Sequence, residues 1–191
     1  MAASISFSHI GIHVRDLPKM ERFYTEFLEL TVTDRGELDT ALGRLDFVFT
    51  SSDPREHHQL VLAAGRPESI PFNVINQISF RVENFPKLRD LYRRSAEYEV
   101  TDMRPVTHGN AVSIYFRDPE GNRIELFCDT PWYVDQPMVI PMDMSMTDEK
   151  LWAWIEDTAG KLPGFKPVEE WRRQMTERMS RRAMAALPVQ T

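Results

Sequence analysis

Two stretches of the chain alternate apolar and polar residues with a period of two. The apolar positions are Ile10, Ile12 and Val14 in the first stretch, and Ile78, Phe80 and Val82 in the second. Such alternation is typical of a β-strand with one buried face and one polar face. The sequence therefore predicts two strands, each with a polar face that is free to carry chemistry.

An amphipathic helix is predicted after each of these strands. Asp16 is placed to cap the first helix, Pro18 lies in its first turn, and the stretch "NFPKLRDLYRRSAE" repeats this start. The apolar stripe of the first helix comprises Leu17, Met20, Phe23, Tyr24, Phe27 and Leu28. Three further strands are predicted after each helix, around 30–34, 43–50 and 57–64, and then around 99–105, 111–117 and 122–127.

The two stretches are copies of one another. With a fixed offset of 68, nine of the 26 residue pairs from His9/Gln77 to Asp34/Asp102 are identical, where chance would give about one or two. The proline-containing segment "GRPESIPFN" links the copies. We therefore predict an α+β domain over 1–128, in which two pseudo-symmetric βαβββ modules (about 5–64 and 73–128) form a curved mixed sheet around a cleft.

The segment 129–191 has no counterpart in the repeat. It begins with a proline-broken, extended stretch and continues with two segments that have helical patterns. We expect this tail to pack on the domain or on a second subunit, and a mobile lid is the alternative.

Composition narrows the class of protein. The chain has 191 residues, is 42% hydrophobic and 27% charged, and carries a net charge of -6, which is typical of a soluble globular protein and argues against a nucleic-acid partner. No apolar run has the length of a membrane span, and the first residues do not resemble a signal peptide. Cys128 is the only cysteine, so a disulfide framework is excluded. A cytoplasmic protein is expected.

Polar residues of both modules are predicted to meet in the cleft. His9 and Gln77 occupy equivalent positions of the two copies, and the alternation in "HHQLVLA" turns His57 toward the cleft and His58 toward the helices. The same offset maps Glu125 onto His57. Four polar side chains that converge in this way can hold a metal ion.

The hairpin "SIYFRDPEGNRIELF" adds a phenol to this group. "DPEGN" is a turn sequence, and strands paired symmetrically about Glu120 would put Tyr115 directly opposite Glu125, with Cβ atoms about 5 Å apart. His108 lies just before the hairpin, near the rim of the cleft. Histidine is suited to proton transfer near neutral pH.

The motifs "SHIGIHVRDLPKMERFYTEFLEL" and "YFRDPEGNRIELF" resemble the vicinal oxygen chelate superfamily, which includes glyoxalase I, bleomycin-resistance proteins and type I extradiol dioxygenases. The stretches "HHQLVLA" and "DTPWYV" look most like the extradiol branch. That resemblance implies two histidines and a glutamate on ferrous iron, with a histidine and a tyrosine near the metal. His9 matches the first ligand and Glu125 the third, while Tyr115 and His108 match the two proton-handling residues. Gln77 stands where the second histidine is expected.

This departure leaves three functions open. The resemblance implies a ring-cleavage dioxygenase for a catechol-like aromatic, with Fe(II) as the expected metal. An amide oxygen favours harder ions, such as Mn(II), than imidazole does. A glyoxalase- or epimerase-like enzyme, for which Mn(II), Zn(II) or Ni(II) would be the metal, and a metal-free binding protein are the alternatives. Trp132 and Tyr133, with His57, are the expected substrate-binding residues. Dioxygen and a small aromatic are the expected partners, and a homodimer or higher homo-oligomer is the expected assembly.

Overall fold

The first βαβββ module forms one sheet. The computed structural model describes residues 6–41, 43–70 and 74–185, with side chains to residue 181. The elements of the first module are β1 (Ile10–His13), α1 (Leu17–Arg22, continued by a π-type turn over Phe23–Phe27), β2 (Thr31–Thr40), β3 (Gly43–Ser51) and β4 (Leu60–Ala63). The strand order is β1-β4-β3-β2, with β1 parallel to β4.

The second module repeats this plan. Its elements are β5 (Ile78–Arg81), α2 (Phe85–Arg94), β6 (Thr101–Thr107), β7 (Ala111–Arg117) and β8 (Arg123–Asp129). They are ordered β6-β7-β8-β5, with β5 parallel to β8. The predicted α+β class and the two βαβββ modules are confirmed. The strands form two main sheets in the described chain, whereas one continuous curved sheet was expected.

Both helices begin as the sequence predicts. The Asp16 carboxylate accepts a hydrogen bond from the Lys19 backbone N–H at 3.0 Å, and the Asn84 side chain accepts one from the Lys87 N–H at 2.9 Å. A proline follows each cap within the first turn. Caps of this kind stabilise a helix by about 1 kcal/mol each.

The helix α1 packs against both sheets. Tyr24 and Phe27 are fully buried, and their rings lie 6.3 Å from the ring of Phe80 and 5.8 Å from that of Phe116, respectively. The Tyr24 hydroxyl also donates to the Asp118 carboxylate, at the turn between β7 and β8, at 3.0 Å. The apolar faces of both modules therefore share one core, and their polar faces point out of it.

Charged pairs join the two modules at the surface. Glu29 is 2.7 Å from Lys87 and 2.8 Å from Arg94, and Lys19 is 2.6 Å from Glu99. Hydrogen bonds from Lys87 and Arg94 lower the pKa of Glu29. Exposed pairs contribute about 0–1 kcal/mol each, so the shared core is the stronger link.

The tail packs on the second module. Its elements are β9 (Trp132–Tyr133), β10 (Ile140–Pro141), α3 (Asp148–Gly160), β11 (Lys166–Pro167) and α4 (Val168–Ala185). Strand β10 extends the second sheet by pairing with β6, and Leu151, Ile155 and Ala159 of α3 are buried in the core. The two predicted tail helices are confirmed. No helix in the described ranges has both the length and the apolar character to cross a membrane.

Candidate functional site

The pairing of β7 with β8 builds the floor of the site. Tyr115 lies directly opposite Glu125, as the turn sequence predicts. The Asp118 carboxylate holds this turn by accepting from the backbone N–H groups of Glu120 (3.0 Å) and Asn122 (2.8 Å). The parallel pairing of β5 with β8 brings Ser79 beside Glu125.

Three side chains fix the Glu125 carboxylate. Its Oε1 accepts from the Ser113 hydroxyl at 2.8 Å, and its Oε2 accepts from the Ser79 hydroxyl at 2.6 Å and from the Gln77 amide at 2.8 Å. Glu125 is only 7% exposed. A buried carboxylate is costly unless it is hydrogen-bonded, and these three donors meet that requirement while they set its orientation.

His108 and Tyr115 form a second part of the same cluster. The His108 Nε2 atom lies 3.0 Å from the Tyr115 hydroxyl and 3.7 Å from Glu125 Oε1. Its Nδ1 atom lies 2.7 Å from the backbone carbonyl of Met138. A carbonyl can only accept, so the hydrogen-bond network assigns the proton of neutral His108 to Nδ1, and Nε2 accepts from the phenol. Burial first, and then Glu125, raises the pKa of Tyr115, so its hydroxyl stays protonated at neutral pH.

The tail positions His108. The Gln136 amide donates to the His108 backbone carbonyl at 2.7 Å, and the Thr130 hydroxyl donates to the Gly109 carbonyl at 2.7 Å. Gly109 has a φ of +72°, and a Cβ there would lie 2.3 Å from a methyl group of Val134. Only glycine fits this approach, so the loop and the tail are packed together.

The sequence reasoning missed four residues of this cluster. Ser79 and Ser113 share faces with Gln77 and Tyr115, so the period-two pattern could have found them. Gln136 and Met138 lie in an extended segment without periodicity, and no sequence signal indicated them.

His9 lies in a different environment. Its Nδ1 is 3.3 Å from the Ser8 hydroxyl, and the centre of its ring is 4.2 Å from that of His58. His57 is exposed, and its Nδ1 is 2.8 Å from that of His58. The structure therefore puts His58 beside His9 where His57 was expected. The reason is that β4 begins at Leu60, so the alternation does not extend back to 57–58.

The predicted equivalence of Glu125 and His57 is wrong. Ile10 pairs with Leu60, whereas Ile78 pairs with Ile124. The connection from 52 to 59 in the first hairpin is longer than that from 118 to 122 in the second. The offset in the last strand is consequently smaller than 68, and the counterpart of Glu125 is Val61.

Only two of the three predicted metal ligands are in direct contact with each other in the described structure. Glu125 and Gln77 are adjacent, and carboxylate and amide oxygens both bind divalent metals. His9 contacts His58 rather than either of them. Within the described residues, no group of three His, Cys, Asp or Glu side chains could hold one ion. That result does not cover a set that includes an amide, so the predicted ligands His9, Gln77 and Glu125 stay a prediction.

Trp132 and Tyr133 belong to the packing of the tail. Trp132 is 5% exposed, with its ring centre 5.8 Å from that of Trp152 and 6.3 Å from that of Phe165. The Tyr133 ring stacks on Trp171, with ring centres 5.2 Å apart and planes 13° apart. This packing does not support their predicted role of stacking on a substrate.

Comparison with known proteins gives a family match over most of the two modules. The family model described as the Glyoxalase/Bleomycin resistance protein/Dioxygenase superfamily matches residues 6–126. Two curated relatives from Rhodococcus globerulus are named biphenyl-2,3-diol 1,2-dioxygenase 3 and 2. They are 29% identical over 136 residues and 24% identical over 133 residues, and each match covers 68% of this chain. The chain spans 66% and 65% of the length of these relatives.

A solved structure has the same fold. It is a glyoxylase/bleomycin resistance protein/dioxygenase domain from Frankia sp. EAN1pec, which is 25% identical to this chain. The match has a TM-score of 0.52 and covers 67% of this chain and all of the Frankia chain.

Proposed function

Because this chain belongs to the Glyoxalase/Bleomycin resistance protein/Dioxygenase superfamily, we propose that it is a metal-dependent extradiol-type dioxygenase that cleaves the ring of a catechol-like aromatic. The observation that carries the proposal is the hydrogen-bonded cluster of His108, Tyr115 and Glu125. It combines a proton acceptor, a protonated phenol and a fixed carboxylate within one polar face.

The curated relatives support this reaction class. Both are named as dioxygenases of biphenyl-2,3-diol, a molecule with two adjacent hydroxyl groups on one ring. Since the chain matches about two thirds of their length, the substrate and the activity are transferred here as a proposal. We further propose dioxygen as co-substrate, Fe(II) as the metal and a homodimer as the assembly.

The chain's own residues would handle the protons of the substrate. The unprotonated Nε2 of His108 accepts a proton from a catechol hydroxyl, and the Met138 carbonyl stabilises the imidazolium that results. Tyr115 donates a hydrogen bond to a substrate oxygen, since its raised pKa keeps the phenol intact. Glu125 and Gln77 would contact the metal, and His9 is the further donor proposed. When bound, the metal supplies an open position for the two catechol oxygens and for dioxygen.

The test is anaerobic loading with iron, followed by addition of catechols and then of air. We expect a yellow ring-fission product and consumption of dioxygen. If iron is bound, as metal analysis would show, and no product forms across a broad panel of catechols, the proposal is wrong.

Gln77 favours a second candidate, a glyoxalase- or epimerase-like lyase or isomerase. An amide oxygen beside a carboxylate suits harder ions such as Mn(II), and a metal-stabilised enediolate would need no dioxygen. This candidate predicts turnover under strict anaerobiosis with Mn(II), Zn(II) or Ni(II). Metal content of the purified protein, compared with that of Glu125→Ala, separates both enzymes from a metal-free binding protein.

A further inference from the structure

Two arginines face one another in the row next to Tyr115 and Glu125. Arg117 of β7 pairs directly with Arg123 of β8, and both lie on the same face as the catalytic pair. Like charges directly opposite each other destabilise a sheet. Their position beside the cluster therefore requires a compensating negative charge.

The described residues supply little of that charge. The Arg117 guanidinium donates to the Gly121 carbonyl at 3.2 Å and lies 3.7 Å from the Asp102 carboxylate. Asp102 is shared with Arg104, at 3.4 Å. Arg123 makes no hydrogen bond or ion pair with any residue in the described ranges, and its Nε is buried without a partner. Buried donors in native proteins are nearly always satisfied, so the partner of this Nε comes from outside the described residues.

Both arginines open onto a cleft of about 660 Å³. Its charged lining residues are Arg15, Arg66, Glu68, Arg117, Glu120 and Arg123, which leave two positive charges in excess. Glu120 is already engaged. Its Oε1 accepts from the backbone N–H groups of Arg15 and Asp16 at 2.7 and 2.8 Å, and its Oε2 lies 3.6 Å from Arg66. Glu120 is therefore not available to Arg123, which has no carboxylate partner among the described residues.

We propose that Arg123, with Arg117, binds an anionic group of the substrate, a carboxylate. A guanidinium binds a carboxylate through two parallel N–H bonds. Residues two apart on a strand face are about 7 Å apart, close to the span of a benzene ring that carries a carboxyl group. Tyr115 and Glu125 do not line this cleft but lie in the next row of the same sheet face, so an acid held by Arg123 with its ring along the strands would bring the ring to them. The substrate class, a catechol carboxylate, rests on the proposed function; the anion site does not.

The test measures binding without catalysis. Benzoate and its neutral analogue benzamide are titrated into the full-length protein and followed by NMR, with the wild type and Arg123→Gln compared. We expect benzoate to bind at least ten-fold more weakly to the variant, and benzamide to bind both proteins equally. Arg123→Lys should bind benzoate with intermediate affinity, because it keeps the positive charge but loses the two parallel N–H donors of the guanidinium. Arg81→Gln is the matched control, because Arg81 lies on the same face but is paired with Asp129.

Two outcomes overturn the inference: benzoate binding that Arg123→Gln leaves unchanged, or equal binding of benzoate and benzamide to the wild type. Thermal unfolding verifies that the variants fold, and Arg117→Gln provides a second measurement with the same expected direction. A different result is expected if the proposed function is wrong and the anion site is right. There benzoate binds through Arg123, yet no catechol, charged or neutral, is cleaved. If neutral and charged catechols are cleaved at equal kcat/KM, and Arg123→Gln binds benzoate as tightly as the wild type does, the anion site alone is wrong.

Discussion

The two modules share a fold and differ in their outward faces. Equivalent positions of the first and second modules are Gly11 and Ser79, Phe49 and Tyr115, and Val61 and Glu125, as their strand pairings define. The first module presents glycine and apolar side chains where the second presents a hydroxyl, a phenol and a carboxylate. One architecture thus supports glycine and apolar side chains at these positions in one copy and a hydrogen-bonded polar cluster in the other.

Burial makes the comparison sharper. Val61 is 8% exposed and Glu125 is 7% exposed, so the two positions are equally hidden from water. A valine needs nothing more there, whereas a carboxylate needs hydrogen-bond donors. Ser79, Ser113 and Gln77 supply these donors. A charge at this position therefore requires polar side chains at the neighbouring positions as well.

The largest effect is expected from Glu125→Gln. Removal of the charge should lower turnover by more than the 10²–10⁴-fold that one proton-transfer residue supplies, and should lower the iron content. The matched control is Val61→Ala, which should cost stability, on the order of 1–2 kcal/mol, with turnover unchanged. Steady-state kinetics and metal analysis check both, and a Glu125→Gln enzyme with normal turnover would contradict the role assigned to this residue.

His108→Gln should lower kcat by about 10²–10⁴-fold, because it removes the acceptor of the catechol proton. Tyr115→Phe should lower kcat less, because the proton acceptor remains. The corresponding change in the first module, Phe49→Tyr, should have no effect on the rate. An unchanged kcat in His108→Gln would place the proton acceptor elsewhere.

Gln136→Ala should lower kcat by about ten-fold, by analogy with the loss of a residue that orients a metal ligand. The reason is that the His108 backbone loses its bond to the tail, while the residues that contact substrate remain. KM should stay near its wild-type value. The ¹⁵N shifts of the His108 ring should show a mixture of tautomers in place of one protonated at Nδ1. A single unchanged tautomer together with a ten-fold loss would contradict this explanation.

The smallest effect on catalysis is expected from Tyr24→Phe, which removes a bond between the modules. It should lower the free energy of unfolding by about 1–3 kcal/mol with little change in turnover. Urea unfolding measures this loss of stability. The control is Tyr92→Phe, which changes a half-buried tyrosine on α2.

The cost of Tyr24→Phe should depend on pH. Burial raises the pKa of Asp118, while the Tyr24 hydrogen bond acts in the opposite direction. A raised carboxyl pKa means that the folded state keeps its proton to higher pH than the unfolded state does, so stability falls as pH rises through that interval. The lost bond served the ionised carboxylate, so the cost should be larger at pH 7 than at pH 4. Equal costs at the two pH values would contradict this assignment.

Local pattern predicted the parts of the site that local geometry controls. The alternation in the hairpin and the turn sequence between its strands were enough to place Tyr115 opposite Glu125, because a short turn sets the register. His57 and His58 were misplaced, since the longer connection before Leu60 follows no period. Gln136 and Met138 could not be predicted, because contacts between a loop and a distant extended segment depend on tertiary packing alone.

The bond from His108 to the carbonyl of Met138 has a consequence for mutational scanning. The acceptor is a main-chain atom, so every amino acid at position 138 provides it equally, and a survey of side-chain substitutions would score the position as tolerant. Chain length is what this contact depends on. A chain cut after residue 128 keeps both βαβββ modules, the Glu125 carboxylate and His108, yet it lacks the carbonyl that sets which nitrogen of that histidine carries the proton.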